Sequence, residues 1–466
     1  MSGDYERAYQ PRGLGGSGGA DTYPNKYLKS RSLLGRMVVR GSANRSTTFS
    51  LSLLFPVLIL LMLSITLRSE DSGDSFDWQL GVRVIGYSLA ALSVLLALGM
   101  RKIPIDRLIF AWALIPIFMM LTAIYAVDGL FSVTAGLAHL VLLLFAWCMV
   151  TRLGDTRIAL AIVITGLIIG ALSIVAYYFL PDIGASAAAS YTADLVDRMK
   201  GVTSQPNTLG AVAAFTVLLA VMYFRDFTVG QRILAAAAIL VSAVCVVYSD
   251  SRSSIATLAL CLLLWWLRRG NVALNLFTIV AIALAASLII TFVPDVSAYL
   301  ARGEAGPDDL ASLNGRSRIW DVAWESIHAH PLLGQGYGAS RLILPLDDRL
   351  FGAAVNTHNV YMELLFSGGV VLFGMFVLVV GASIVRSASR GRAEALIALL
   401  FFLVRGAAEA APFGGLPLYP AFVFYTAVAL CLSASARQPA EGYHRHRTTN
   451  AGLATAVPRR ATSLWR

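Results

Sequence analysis

Apolar residues in this chain arrive in blocks of about twenty, separated mostly by short polar stretches. A helix of that length spans the roughly 30 Å hydrocarbon core of a bilayer. Twelve such blocks are read, near 49–67, 84–100, 108–127, 131–150, 158–180, 208–224, 231–249, 254–267, 272–293, 360–384, 394–408 and 416–434. The blocks at 254–267 and 394–408 are short and are expected to tilt, break or re-enter. Composition decides that the blocks face lipid. Only 14% of residues are charged and 57% are hydrophobic, whereas a soluble domain carries about 25% charged residues. The pattern predicts an all-α polytopic membrane protein with about 12 transmembrane helices and a large extracytoplasmic loop between helices 9 and 10. A polar tail occupies 1–48, helices 1–9 fall in 49–293, the loop in 294–357, helices 10–12 in 358–434, and a second tail in 435–466.

Charge then orients the chain. The net charge of +10 resides in the N-terminal tail (Lys26, Lys29, Arg31, Arg36, Arg40, Arg45), the C-terminal tail and the loops after even-numbered spans. Arg101, Lys102 and Arg107 follow span 2, Arg268 and Arg269 follow span 8, and Arg386, Arg390 and Arg392 follow span 10. This positive-inside alternation puts both termini in the cytoplasm and removes nucleic acid as the explanation of the charge. The acidic first outer loop, with Glu70, Asp71, Asp74 and Asp77, agrees. No apolar core begins before about residue 49, so the N-terminal tail is not read as a cleavable signal, and both tails are expected to be disordered. Cys148, Cys245, Cys261 and Cys431 all fall inside spans, away from any outer-loop disulfide. The sequence holds no Walker motif and its inner loops are short, which speaks against an ATP-driven pump. No internal repeat marks a transporter of two matched halves. His139 is the one titratable residue near a span centre and reads as a polar helix-packing contact.

The polar residues that can do chemistry lie in two outer stretches, 181–207 and 294–357. In Asn314-Gly-Arg-Ser-Arg-Ile-Trp-Asp-Val-Ala-Trp-Glu-Ser-Ile-His-Ala-His330, Trp320, Ala323 and Ile327 recur at helical spacing with Trp324 beside them. That predicts an amphipathic helix of about three turns at the membrane surface, stopped by Pro331. Arg316 at its start, with the free N–H groups there, makes an anion site to which Arg318 adds. Pro331-Leu-Leu-Gly-Gln-Gly-Tyr-Gly338 calls for positive φ or close backbone approach. In Asn356-Thr-His-Asn-Val-Tyr-Met-Glu363, His358 lands at the outer mouth of span 10, placed to act as general base, with Asn359 and Glu363 on one face of that helix. His328 and His330 are the reserves. Asp250-Ser-Arg252 puts Arg252 at or near membrane depth between spans 7 and 8. Asp197-Arg-Met-Lys-Gly-Val-Thr-Ser-Gln-Pro-Asn207 brings Arg198, Lys200, Gln205 and Asn207 to the entrance of span 6 as donor or acceptor contacts, with Asn207 or Thr208 as helix cap.

Taken in order, these pieces resemble the O-antigen ligase and Wzy-type polymerase superfamily. The likeness rests on Gly-Arg-x-x-x-Trp, His-Pro-Leu-Leu-Gly-x-Gly and the His-Asn that opens span 10, joined by Gln-Pro-Asn-Thr-Leu-Gly and Ser-x-Ser-Arg-Ser, and covers roughly residues 180–385. It implies that glycan is transferred from undecaprenyl diphosphate to an acceptor, with inversion, on the extracytoplasmic face of a bacterial inner membrane, without metal or other cofactor. It implies His358 as base and Arg252 and Arg316 as diphosphate-binding arginines. Planar guanidinium groups suit that task, because they bind phosphate oxygens bidentately without a metal ion. Gln205 departs from the histidine that many relatives carry before Pro-Asn, and the long basic N-terminal tail lies outside the family pattern. The leading expectation is a polymerase of exopolysaccharide or O-antigen repeat units. The alternatives are a ligase acting on lipid A core, a metal-dependent polyprenyl-phosphate-sugar glycosyltransferase using Glu70 and Asp71, and a lipid-linked sugar flippase or transporter. The expected partners are the undecaprenyl-diphosphate oligosaccharide, a lipid-linked or lipid A acceptor, membrane lipid and other polysaccharide assembly proteins.

Overall fold

A computed structural model describes residues 51–67, 78–100, 104, 106–186, 198–268, 316–350 and 355–433. Both tails, the first outer loop at 68–77, the expected span at 272–293 and the loop ahead of Arg316 lie outside the described residues. The helices that carry the architecture are α1 (Leu51–Ser64), α2 (Trp78–Gly99), α3 (Arg107–Leu121), α4 (Gly129–Leu153), α5 (Asp155–Phe179), α6 (Pro206–Tyr223), α7 (Val229–Tyr248), α8 (Arg252–Leu267), α9 (Arg316–Ala329), α10 (Val360–Ser389), α11 (Ala393–Gly406) and α12 (Tyr419–Leu432). A two-residue antiparallel pair, β1 (Ala185–Ser186) with β2 (Arg198–Met199), precedes α6, with Ala185 opposite Met199.

Seven of the described helices, α2 to α7 and α10, are long and apolar enough to cross a membrane, and α1, α8 and α12 are shorter apolar helices. The chain is a polytopic all-helical membrane protein. The hydropathy blocks locate these helices to within a few residues. The largest differences are six residues each, at α2, which begins at Trp78 rather than near 84, and at α3, which ends at Leu121 rather than near 127. The first turns of α2 carry polar residues that hydropathy discards, yet each is engaged: Gln79 Oε1 accepts from the Leu67 amide at 3.1 Å, and Arg83 donates to Thr66 Oγ1 at 2.8 Å.

α12 sits at the centre, with nearly every residue buried. It packs on α4, α10 and α11, while α6 packs on α5, α7, α8 and α11. Gly166 lets α5 and α6 approach: a Cβ there would lie 2.0 Å from Thr216 Oγ1. Large apolar residues such as Leu95, Leu240 and Leu378 face outward, as they would toward lipid tails. His139 is fully buried as a packing contact, with Nε2 2.9 Å from the Tyr337 hydroxyl and Nδ1 3.0 Å from that of Tyr425.

Ion pairs fasten one end of the bundle. Arg386 makes a two-pronged contact with Asp106, Arg392 pairs with Asp155, and Arg268 pairs with Glu394. These are the basic loops that the charge pattern assigned to the cytoplasm. Residues 316–350 and 355–360 gather at the opposite end.

Two expectations need correction there. Span 10 is not one continuous helix: Gly369 (φ 61, ψ −160) breaks α10 into 360–368 and 370–389. The break leaves backbone groups without helical partners, and the segment 331–336 supplies them. The amides of Val370 and Val371 donate to Pro331 and Leu332 carbonyls at 2.9 and 3.3 Å, and those of Gln335 and Gly336 donate to Phe366 and Ser367 carbonyls at 2.8 and 3.0 Å. Gly334, Gly336 and Gly338 all have positive φ, and a Cβ on Gly334 would meet the Phe366 carbonyl at 2.5 Å. The second correction concerns α9. Its apolar face, with Val322, Ala323 and Ile327, is covered by protein, in a cluster with Ala339, Leu344, Leu350 and Phe366, so it lies on the first segment of α10 rather than on lipid.

Candidate active site

The site forms where α6, the α7–α8 turn, α9, the entrance to α10 and the α11–α12 connection meet. Its centre is Glu409, in that connection, only 2% exposed. Glu409 Oε1 accepts from Asn207 Nδ2 at 2.6 Å and pairs with Arg316 Nη2 at 3.1 Å. Arg316 Nη1 also donates to the Ala408 carbonyl. Glu409 Oε2 lies 3.8 Å from His358 Nδ1, beyond hydrogen-bond length and just inside the distance at which a protonated imidazole would pair with it.

Asn207 links this carboxylate to two more arginines. Its Oδ1 accepts from Arg198 Nη2 at 2.9 Å, and its carbonyl accepts from Arg405 Nη2 at 2.9 Å. Arg198 further donates to the carbonyls of Ser249 and Asp250, clamping the α7–α8 turn onto the start of α6. Pro206 at the first helical position sets that start, with Gln205 as the cap residue. Asn207 is thereby inside the helix, and its side chain holds Arg198 and Glu409 instead of capping.

His358 is delivered by local geometry. Asn359 caps α10, accepting from the Tyr361 and Met362 amides, and its Nδ2 donates to the Ala407 carbonyl at 3.2 Å. Asn356 Oδ1 accepts the His358 amide at 2.9 Å, and Trp320 Nε1 donates to the Thr357 carbonyl at 2.9 Å. These bonds hold His358 at φ 49, a left-handed conformation costly for a residue with a Cβ. Asp250, at φ 46, is the other non-glycine residue with positive φ among the described residues, and its carbonyl is one that Arg198 grips.

A cleft of about 150 Å³ opens beside the cluster, lined by Ser204, Gln205, Thr208, Asn356, Glu409 and residues 410–412 and 414–416 of the connection. Burial alone would raise the Glu409 carboxyl. The His358 imidazole and the guanidinium groups of Arg405 and Arg316 outweigh it and hold Glu409 below the usual carboxylate range.

Of the residues singled out from sequence, Arg198, Asn207, Arg316, His358 and Asn359 come together here, and Gln205 lines the cleft. Arg252 opens α8 two residues after the Asp250 carbonyl and is half-buried. Arg318 points to the exposed side of α9, as two residues along a helix must when Arg316 faces inward. Lys200 is buried, its amide donating to the Gly184 carbonyl at 2.9 Å. Glu363 is buried as well and already engaged: it accepts from Ser340 Oγ at 2.6 Å and from the Thr357 amide and hydroxyl at 3.1 and 3.0 Å. It braces the loop behind His358. His328 and His330 are exposed, with His328 Nδ1 2.9 Å from the Trp324 carbonyl on its own helix.

Glu409, Arg405 and Asn356 escaped the sequence reading. The signal was present: Arg405 and Glu409 stand four residues apart at the end of an apolar run, and an ionisable residue at such a depth is a site candidate by default.

Residues 237–377, from the middle of α7 into the second segment of α10, match the model of a protein family described as O-antigen ligase. That stretch is similar to the O-antigen ligase family. The match covers under a third of the chain and bears out the resemblance read from the motifs. None of the curated proteins compared matches the chain. The matched segment contains Arg252, Arg316, Arg318, His358, Asn359 and Glu363, while Asn207 lies before it and Arg405 and Glu409 lie after it. The site is therefore assembled from the matched segment and from helices on both sides of it.

Proposed function

We propose that this protein is an inverting membrane glycosyltransferase that moves glycan from undecaprenyl diphosphate to a hydroxyl acceptor, polymerising repeat units of an exopolysaccharide or O-antigen. The observation that carries the reading is the convergence of His358, Arg316, Arg198 and Arg405 on Asn207 and Glu409 beside an open cleft. A diphosphate leaving group concentrates negative charge, and Arg316 and Arg252 are assigned to hold it, with Arg318 at the rim. Arg198, Lys200, Gln205, Asn207 and Asn359 shape the donor and acceptor sites. The acceptor oxygen attacks the anomeric carbon from the face opposite the leaving group. As that C–O bond forms, the bond to diphosphate breaks and its electron pair leaves with the phosphate. The hydroxyl proton passes to His358. Guanidinium groups supply the positive charge, so no metal is required. The proposal includes twelve spans, cytoplasmic termini and a site on the extracytoplasmic face of the inner membrane.

The similarity of residues 237–377 to the O-antigen ligase family favours ligation as the second reading, with a lipid A core as the acceptor we propose for it. Incubating purified protein with undecaprenyl-diphosphate oligosaccharide and sizing the products tests both. A ladder supports polymerisation. Single transfer to added lipid A core, without a ladder, supports ligation. Loss of activity in EDTA would point to the metal-dependent alternative, and translocation without any glycosidic product to a transporter.

A further inference from the structure

We infer that Glu409 is the positioning residue of this site: its carboxylate fixes the ring of His358 through Nδ1 and directs Nε2 toward the acceptor hydroxyl. The inference rests on the glycosyl-transfer reading above and adds a member that lies outside the matched family segment.

The geometry is specific. His358 Nδ1 is buried and has no hydrogen-bond partner, and the group facing it is Glu409 Oε2 at 3.8 Å. The side chain is nonetheless 24% exposed, so its accessible edge lies away from Nδ1, which leaves Nε2 for the acceptor. A small approach on donor binding closes 3.8 Å to a hydrogen bond, as catalytic contacts commonly tighten in the loaded enzyme. Carboxylate on one ring nitrogen and reacting hydroxyl on the other is the arrangement that sets a histidine's tautomer and stabilises the imidazolium formed during proton transfer.

Glu409 is itself held from three sides. Asn207 and Arg316 engage Oε1, and Arg405 stands near, so Oε2 is the oxygen left for His358. The charged groups around the dyad are Glu409 and Arg405 from α11 and its connection, Arg316 from α9 and Glu363 from α10. Glu363 is occupied by Ser340 and Thr357, which leaves Glu409 as the carboxylate that can follow the ring. In the reaction the acceptor proton moves to Nε2, the new glycosidic bond forms, the bond to diphosphate breaks, and Glu409 stays ionised throughout.

Glu409→Gln keeps an oxygen for Asn207 while removing the charge. With undecaprenyl-diphosphate oligosaccharide as donor, kcat should fall roughly 10²-fold, and the acidic limb of the rate–pH profile should move to lower pH, because the imidazolium loses its anion. Glu409→Asp should recover part of the rate. In a His358→Ala background, Glu409→Gln should cost nothing further. An unchanged acidic limb in Glu409→Gln, or an equal loss with and without His358, overturns the inference. If Glu409→Gln fails to reach the membrane, Glu409→Asp decides, because its shorter carboxylate stands farther from Nδ1: a partial loss of kcat with His358 present and none in the His358→Ala background supports the inference, and an equal loss in both overturns it. Wild-type protein that makes no glycosidic product with any acceptor defeats the functional reading; active wild type with an indifferent Glu409→Gln defeats this inference alone.

Discussion

Asn207 Nδ2 donates to Glu409 Oε1 at 2.6 Å, joining the start of α6 to the α11–α12 connection across 202 residues of chain. The same side chain receives Arg198 on Oδ1. Asn207→Ala removes both bonds and leaves a buried carboxylate and a guanidinium each short of a partner. Hydrogen bonds to charged groups are worth about 1.5–3 kcal/mol each. Activity should fall about 10- to 100-fold, and Asn207→Asp should do worse, since it sets a second carboxylate against Glu409. Turnover of the two variants at matched membrane levels checks this, and an active Asn207→Asp would refute it.

Arg316 meets Glu409 and the Ala408 carbonyl with two guanidinium nitrogens. Arg316→Ala should abolish product. Lysine should rescue poorly, because a point charge cannot make the fork. Donor binding and product yield for both variants, and for the same pair at Arg252, measure it. Full activity of the lysine variants would remove the diphosphate role.

His358→Ala should fold, insert and bind donor while losing about 10²–10⁴ in turnover, the usual worth of general-base help. The assay is single-turnover product formation with saturating donor. Wild-type turnover at normal membrane levels would end the assignment and send attention to His330.

Glu409 also predicts an acid sensitivity of the fold. Its carboxyl is held low in the folded protein. A group with a depressed folded pKa contributes stability above its unfolded value and loses it as pH falls through the folded one. The thermal unfolding midpoint in detergent should stay level near neutrality and drop below the ordinary carboxylate range. In Glu409→Gln the drop should be smaller.

The four cysteines are all buried, so an added surface thiol has little background. Glu325 is exposed, and its pair with Arg349 is a surface contact of small worth. A thiol at Glu325→Cys should react with an impermeant reagent in cells. Labelling only in inverted vesicles would reverse the proposed orientation.

The hydropathy pattern by itself located eleven of the expected blocks as helices among the described residues, because a bilayer demands about twenty apolar residues per span. It also found Arg316, His358 and Asn207, since polar side chains at span mouths stand out against apolar neighbours. Gly334, Gly336 and Gly338 declared their turns, for only glycine takes positive φ freely. The interruption of α10 at Gly369 was not legible, because a helix broken by backbone bonds to residues 331–336 has the same apolar composition as an unbroken one. Nor was the face of α9, whose periodicity is the same whether lipid or Phe366 covers it. Glu409 stayed hidden for a further reason. Its significance comes from Asn207, Arg316 and His358, which lie up to 202 residues away along the chain. Local pattern specifies which residues are buried in helices. Which buried charges meet is settled only when the helices pack, because the Coulomb and hydrogen-bond energies that make a site act over a few ångströms of space.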